Sequence, residues 1–214
     1  MPINPAERTY PGFIQTASGK KIRYKSLAEN FSELNRFFLE YIGSFNIPVA
    51  QQKKSENKTP PVTECQPFSF FVRITNHLDH RAANLFGKGP WEQYPIPVIE
   101  YSIGDCTSTP VSQNQIISLG LSAVEDLKYM NRLCTKINAV MRSFFERRDA
   151  SLISFSCSFG KLDDKIVVCG EFTPPFIQVI GNPEFLNAGP NYFDFEDAAQ
   201  LKKYAEFLLG ATKA

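Results

Sequence analysis

Two histidines occur, His77 and His80, and they bracket a carboxylate in the run His77-Leu78-Asp79-His80. Two imidazoles and an aspartate are metal-ligand types. A spacing of three, with no further cysteine or histidine nearby, is poor for zinc. The run reads better as a surface turn or an active-site loop, with His77 and Asp79 as acid–base candidates. A His–Cys nucleophile pair stays open, because distance in space is not visible in a sequence. Glu100 and Glu171 each sit inside an apolar, strand-like segment. Alternation places such a carboxylate either on a solvated face or in a cleft. Arg73 lies in a similar segment, where it either pairs with a strand carboxylate or serves a ligand. Gly87-Lys88-Gly89-Pro90 is no phosphate loop, since the proline stands where a helix N-terminus is needed. No Gly-x-Ser-x-Gly run is present. Arg147 and Arg148 close a helix and complement its dipole, and Lys53, Lys54 and Lys58 read as a solvated loop.

The elements that would position these groups alternate between two periods. Ser26-Leu27-Ala28-Glu29 fits a capping box. Leu34, Phe37, Phe38, Tyr41, Ile42 and Phe45 then form one apolar helix face, ended by Asn46-Ile47-Pro48. Residues 50–64 are polar and proline-containing and read as an exposed loop. Phe68–Ile74 and Val98–Ile103 are strand candidates, with an irregular stretch from Asn76 to Pro97 between them. Ser122-Ala123-Val124-Glu125 is a second capping-box pattern. It precedes a long helical stripe of Leu127, Met130, Cys134, Ile137, Val140, Met141 and Phe144. Leu152–Phe159 and Lys165–Phe172 read as strands joined at Leu162-Asp163-Asp164. A last helix near Phe195–Leu209 follows Asp194. No internal repeat is visible. The fold class is α+β, a mainly antiparallel sheet with packed helices.

Composition bounds the rest. The chain has 214 residues, 43% hydrophobic and 21% charged, enough for one domain with a packed core. Its 23 basic and 22 acidic residues give a net charge of +1, which excludes a generic polyanion binder. No apolar run reaches the length of a membrane-spanning helix, and the polar N-terminus does not read as a signal peptide. The five cysteines, Cys65, Cys106, Cys134, Cys157 and Cys169, are odd in number and form no Cys-x-x-Cys. They read as reduced, mostly buried thiols, and a cytoplasmic location is expected. Nineteen phenylalanines exceed what a core needs and permit an apolar pocket.

One stretch carries more. Leu119-Gly120-Leu121, Ser122 to Leu127, Lys136-Ile137-Asn138, Phe144-Phe145-Glu146-Arg147-Arg148, Phe155 and Phe159-Gly160 together resemble the central helix and following strand of the SAICAR synthetase family. That family joins aspartate to a carboxylated aminoimidazole ribotide with ATP and magnesium. Ile47-Pro48, Val72-Arg73, Pro97-Val98-Ile99-Glu100-Tyr101 and Glu171-Phe172-Thr173-Pro174 extend the resemblance in the expected order, over roughly residues 16–181. It implies a cleft between two lobes. One single domain over 1–214 would comprise a reduced N-terminal lobe, 16–96, and a C-terminal lobe, 97–214. The chain is expected to begin after the strand–turn with Gly-Lys that covers the ATP phosphates in the family.

The departures from the family pattern share a direction. Ile14 and Gln15 stand for aspartates before Thr16-Ala17, and Ser156 and Ser158 stand for Lys-x-Glu. Gly170-Glu171 stands for an Asp-Glu pair, Pro175 for an aspartate and Gln178 for an arginine. Asp79 falls at or near a phosphate-binding serine. Magnesium needs carboxylates and phosphates need cations, so loss of these groups implies a cleft used without ATP or metal. The expected function is a repurposed enzyme acting on an apolar small molecule by cyclisation, isomerisation or a pericyclic step. Arg73, Glu100, Glu171, Asp79 and His77 are the expected catalytic groups. Tyr101, Ser156, Ser158, Thr173 and Gln178 are the expected substrate-binding groups. No metal, cofactor, nucleic acid or membrane is expected, and a homo-oligomer is compatible with the family. The alternatives are an ATP-dependent amide ligase of the SAICAR synthetase type and a non-catalytic binding paralogue.

Overall fold

The computed structural model describes residues 13–15, 21–23, 27–50, 65–89, 91–103, 110–174, 176–181 and 198–213. In chain order the elements begin with a hairpin of β1 (Phe13–Gln15) and β2 (Lys21–Arg23), followed by α1 (Leu27–Gly43) and β3 (Gln66–His77). Next come α2 (His80–Phe86), β4 (Gln93–Ile103), β5 (Pro110–Val111) and α3 (Gln113–Ser118). The long helix α4 (Val124–Glu146), the strands β6 (Ser151–Leu162), β7 (Lys165–Gly170) and β8 (Ile177–Ile180), and α5 (Ala198–Lys213) complete the set. The expected loop at 51–64, the caps Ser26 and Asp194, and Cys106 lie outside the described residues.

The main sheet is antiparallel and runs β5-β4-β3-β6-β7, with β8 also paired to β6. The molecule is α+β, as the periodicity implies. β3 is longer than its aromatic stretch, because Thr75 pairs with both β4 and β6 and His77 pairs with β4 beyond an irregularity at Asn76. The stretch 76–97 is therefore more ordered than its prolines and glycines suggest. The boundary between lobes expected at 96–97 falls inside β4, and β3 is the central strand of the sheet. The turn between β6 and β7 is the two-residue type read from the sequence. Asp163 and Asp164 both take positive φ, 47° and 61°, which short polar side chains tolerate.

Side-chain alternation splits the sheet into two faces. Phe70, Val72 and Ile74 of β3, with Phe155, Cys157 and Phe159 of β6, join one buried cluster. Leu127, Met130, Cys134, Ile137, Met141 and Phe144 of α4 close that cluster from above, so the helical stripe faces the sheet as its period requires. Phe38 of α1 stacks edge-on against Phe144, and the aromatic surplus is spent largely here. The expected capping box at Ser122 does not form. The N-cap of α4 is Ala123, without a side-chain bond, and Ser122 Oγ turns to the Ala123 carbonyl instead. A capping box does form one helix earlier, between Ser112 and Gln115. Among the described residues no helix is long and apolar enough to cross a membrane.

One buried polar contact ties these layers together. Asn76 and Asn138 exchange reciprocal amide bonds of 2.9 and 2.8 Å, and Asn76 Nδ2 also reaches the Leu152 carbonyl at 3.2 Å. β3, α4 and β6 are thereby fixed in one register. Asn138→Ala strands a buried amide and is expected to cost about 1–3 kcal/mol. A matched Asn76→Leu/Asn138→Leu pair should cost less than the two single changes combined. Urea unfolding of the two single variants and the double variant measures this, and additive losses would contradict it.

Candidate functional site

The opposite face of the sheet carries the polar groups. Antiparallel pairing sets Arg73 of β3 between Glu100 of β4 and Ser156 of β6, and sets Phe71 between Ser102 and Ser158. Thr75 pairs with Ser154 in the same way. Paired residues share a face, so Glu100, Ser102, Arg73, Thr75, Ser154, Ser156 and Ser158 share one face of the sheet, on which the four serines are buried. Arg73 Nη2 donates to Ser154 Oγ and to Gln178 Oε1, each at 3.2 Å. Ser154 Oγ in turn donates to Gln178 Oε1 at 2.7 Å. The guanidinium is thus oriented by neutral oxygens, which leave its charge available. Ser158 Oγ donates to the Gly170 carbonyl.

The far edge of β6 is shared by two strands. β7 pairs along Ser158–Leu162 and β8 along Ser151–Phe155. Between them the chain crosses at residues 171–176, where Ser156 N donates to the Phe176 carbonyl at 2.7 Å. Phe176 lies against Phe71 with ring centroids 5.6 Å apart, an aromatic floor beside the arginine. Asn35 of α1 holds the crossing in place by accepting from Phe172 N at 2.9 Å. Gly170 has φ +117°, and a Cβ there would press to 3.1 Å from the Asn35 amide oxygen, so the turn needs glycine. The hydroxyls of Thr173 and Ser102 are buried without a hydrogen-bond partner. Such groups cost free energy unless something supplies a bond.

The candidates therefore divide. Arg73, Glu100, Ser156, Ser158 and Gln178 are brought onto this surface. Glu171 and Thr173 follow directly from β7, in the crossing that borders it. Tyr101 is not among them. It stands one residue out of phase with Glu100, packs with Phe70 on the helix face, and donates from its hydroxyl to Asn131 Oδ1 at 2.8 Å. With Glu100, Ser112 and Asn131 it borders a separate open cleft of about 430 Å³ next to β5. Asp79 is the N-cap of α2, accepting from Ala82 N at 2.7 Å, and that structural bond explains its place. His77 is no turn residue. It ends β3 opposite Gln93, and its Nδ1 is buried without a partner. Phe71 and Ser154 were missed, although each keeps the two-residue phase of a chosen residue, Arg73 or Ser156. Tyr94 was also missed. Its hydroxyl is pushed up by burial and then by the negative charges of Asp79 and Glu100. Pro95 and Pro97 conceal its phase in the sequence.

A model of the SAICAR synthetase family matches residues 17–177. The chain belongs to the SAICAR synthetase family. A phosphoribosylaminoimidazole-succinocarboxamide synthase of Acinetobacter baumannii is 36% identical over 145 residues, which cover 67% of this chain and 61% of that protein. One from Thermoanaerobacter is 24% identical over 131 residues, covering 60% of this chain and 56% of that protein. The matched stretch is thus less than two thirds of either curated relative. The crystal structure of SAICAR synthetase from Pyrococcus horikoshii superposes with a TM-score of 0.76 at 16% identity, over 93% of this chain and 90% of that one. The fold is therefore that of SAICAR synthetase.

ATP and magnesium, which the family implies, can be tested against the residues present. Phosphates call for cations, and magnesium calls for carboxylates held together. The surface offers Arg73, already oriented by Ser154 and Gln178, and a floor of three serines, Ser154, Ser156 and Ser158. Among the described residues no three His, Cys, Asp or Glu side chains converge. Arg73 and, across the strand pair, Glu100 are the charged groups that β3 and β4 set on this face.

The state of His77 affects stability. Burial, and next the positive charge of Arg142, push its imidazole below the ordinary range, against a weaker upward pull from the Leu152 carbonyl. The folded protein therefore holds His77 neutral where the unfolded chain, with a value near about 6.5, begins to protonate. The unfolded state binds more protons below that pH, so stability falls as pH drops through it. His77→Gln is expected to flatten the decline in urea midpoint between pH 7.5 and pH 5.5. Parallel pH profiles for the two proteins would remove His77 as the cause.

Proposed function

We propose that this chain uses the SAICAR synthetase fold to bind an uncharged, largely apolar small molecule and to promote its rearrangement without ATP or metal. The observation that carries the reading is the setting of Arg73, whose hydrogen bonds go to a serine and a glutamine, with the Phe71–Phe176 pair alongside. An aromatic floor with few, well-placed polar groups suits an apolar ligand that has one or two oxygens. Arg73 would donate to an oxygen that gains negative charge during the reaction, and Glu100, its cross-strand neighbour, would accept a proton. Holding one reactive conformer would supply the rest. Cyclisation, isomerisation and a pericyclic step all meet that description. The ligand of the surface is a small molecule, not nucleic acid or a membrane.

A second reading, ATP-dependent amide ligation, draws support from the names of the relatives and from the 36% identity to one of them. Magnesium–ATP separates the two. A ligand present at about 100 times its dissociation constant stabilises a fold by about 2.7 kcal/mol, which is about 5–10 °C in melting temperature for a chain of this size. Millimolar magnesium–ATP is expected to leave the melting temperature of the full chain unchanged. A panel of uncharged aromatic and polyketide-like compounds should contain members that raise it. Arg73→Gln should weaken those compounds by about tenfold or more, in line with a charged hydrogen bond. A clear shift with magnesium–ATP would return the ligase reading to first place.

A further inference from the structure

Gly160 lies in β6 with Pro67 of β3 opposite it on one side and Val167 of β7 on the other. A methyl group at this glycine would fall 2.6 Å from Cys65 Sγ, 2.8 Å from Cys169 Sγ and 2.9 Å from the Gln66 carbonyl. Two sulfurs, one from before β3 and one from β7, therefore meet in the space that a single side chain would occupy. Both cysteines are free and both are partly exposed. Among the described residues, Cys134 of α4 and Cys157 of β6 also interact, and both are fully buried. We propose that Cys65 and Cys169 form a thiol–disulfide site, in which Cys65 attacks a low-molecular-weight disulfide and Cys169 resolves the product.

The roles follow from the contact between the thiols. Side-chain interaction with the adjacent Cys169 thiol draws the Cys65 thiol below its ordinary range despite the opposing effect of burial. The same interaction, with burial added, pushes Cys169 up, and the Cys169 thiol itself donates to the Val167 carbonyl at 3.8 Å. The thiolate is the attacking form, so Cys65 reacts first. Its thiolate attacks one sulfur of the small disulfide R–S–S–R, forming Cys65–S–S–R and expelling RS⁻. Cys169 then loses its proton to solvent and attacks the Cys65 sulfur, expelling a second RS⁻. Two protein thiols are oxidised and one small disulfide is reduced to two thiols. Strands flanking a common neighbour stand two spacings apart, about 9–10 Å, whereas bridged cysteines have Cα atoms no more than about 6.8 Å apart. Closure therefore draws Cys65 inward. Cys65 precedes Gln66, the first paired residue of β3, so no ladder pairing holds it.

Oxidised glutathione is the probe, applied to the native full-length chain and followed by intact mass and by peptide mapping without reduction. The expected product is a Cys65–Cys169 cross-link with loss of two hydrogens, while Cys134 and Cys157 remain reduced. Cys169→Ser should trap glutathione on Cys65 as a lasting adduct, and Cys65→Ser should abolish both adduct and cross-link. Gly160→Ala should separate the sulfurs and suppress the cross-link. Since that variant can fail to fold, the Cys169→Ser result decides independently. A lasting glutathione adduct on wild-type Cys65 without the cross-link would overturn the proposal. So would release of glutathione from Cys169→Ser as fast as from the wild type.

Discussion

β3 must satisfy two surfaces with one backbone. Phe70, Val72 and Ile74 are buried against α4, and Arg73 emerges between them on the other side. A slip of one residue would exchange the two sets, placing a guanidinium in the aromatic core and three apolar side chains on the polar face. The register is therefore set by burial. It is reinforced where Asn76 and Asn138 meet, because a buried amide finds its full complement of bonds in that register alone. Every group on the polar face inherits its position from this constraint: Glu100 through the pairing to β4, and the serines of β6 through the pairing on the other side.

The edge of β6 is divided between two strands. A single partner strand would have run on past Ser156. Instead β7 stops at Gly170 and β8 begins at Ile177, and the connection between them folds over with Phe176 against Phe71. The crossing is held from three sides. Asn35 takes the amide of Phe172, Ser158 bonds the Gly170 carbonyl, and Tyr204 of α5 bonds both the carbonyl of Ile177 and the amide of Val179. Helices from both ends of the chain thus brace the same few residues. The 48–50 segment supports the neighbouring strand by exchanging backbone bonds with Val168.

The chemistry on this surface is that of hydroxyls, one guanidinium and one neighbouring carboxylate. In the family the corresponding strand is expected to carry Lys-x-Glu; here the same positions are Ser156 and Ser158. A packed core couples each residue to many neighbours, while a residue on an open face can be replaced without moving the strand beneath it. The paired thiols over Gly160 belong to the same strand but to its other end, where the absence of a side chain, rather than the presence of one, creates the contact.

Much of this was legible in the sequence. The two-residue period around Arg73, the helical stripe from Leu127 to Phe144, and the Asp163-Asp164 turn each reflect local rules, and each element formed near its expected bounds. The order of family segments likewise singled out Arg73, Glu100, Ser156, Ser158 and Gln178, which the strand pairing sets close together on one face. The remainder depended on distance in space. Nothing local distinguishes Asp79 as a helix cap from Asp79 as an acid, and the phase of Tyr101 is unmistakable only once Glu100 is paired to Arg73. Tyr94 was hidden because prolines break the period on which alternation relies. The meeting of Cys65 and Cys169 across 103 intervening positions has no sequence signal at all. Periodicity and capping act between residues a few positions apart, and so the chain alone determined its elements and their faces. Which faces meet, and which polar atoms are left without partners, was decided by packing between segments far apart in the chain.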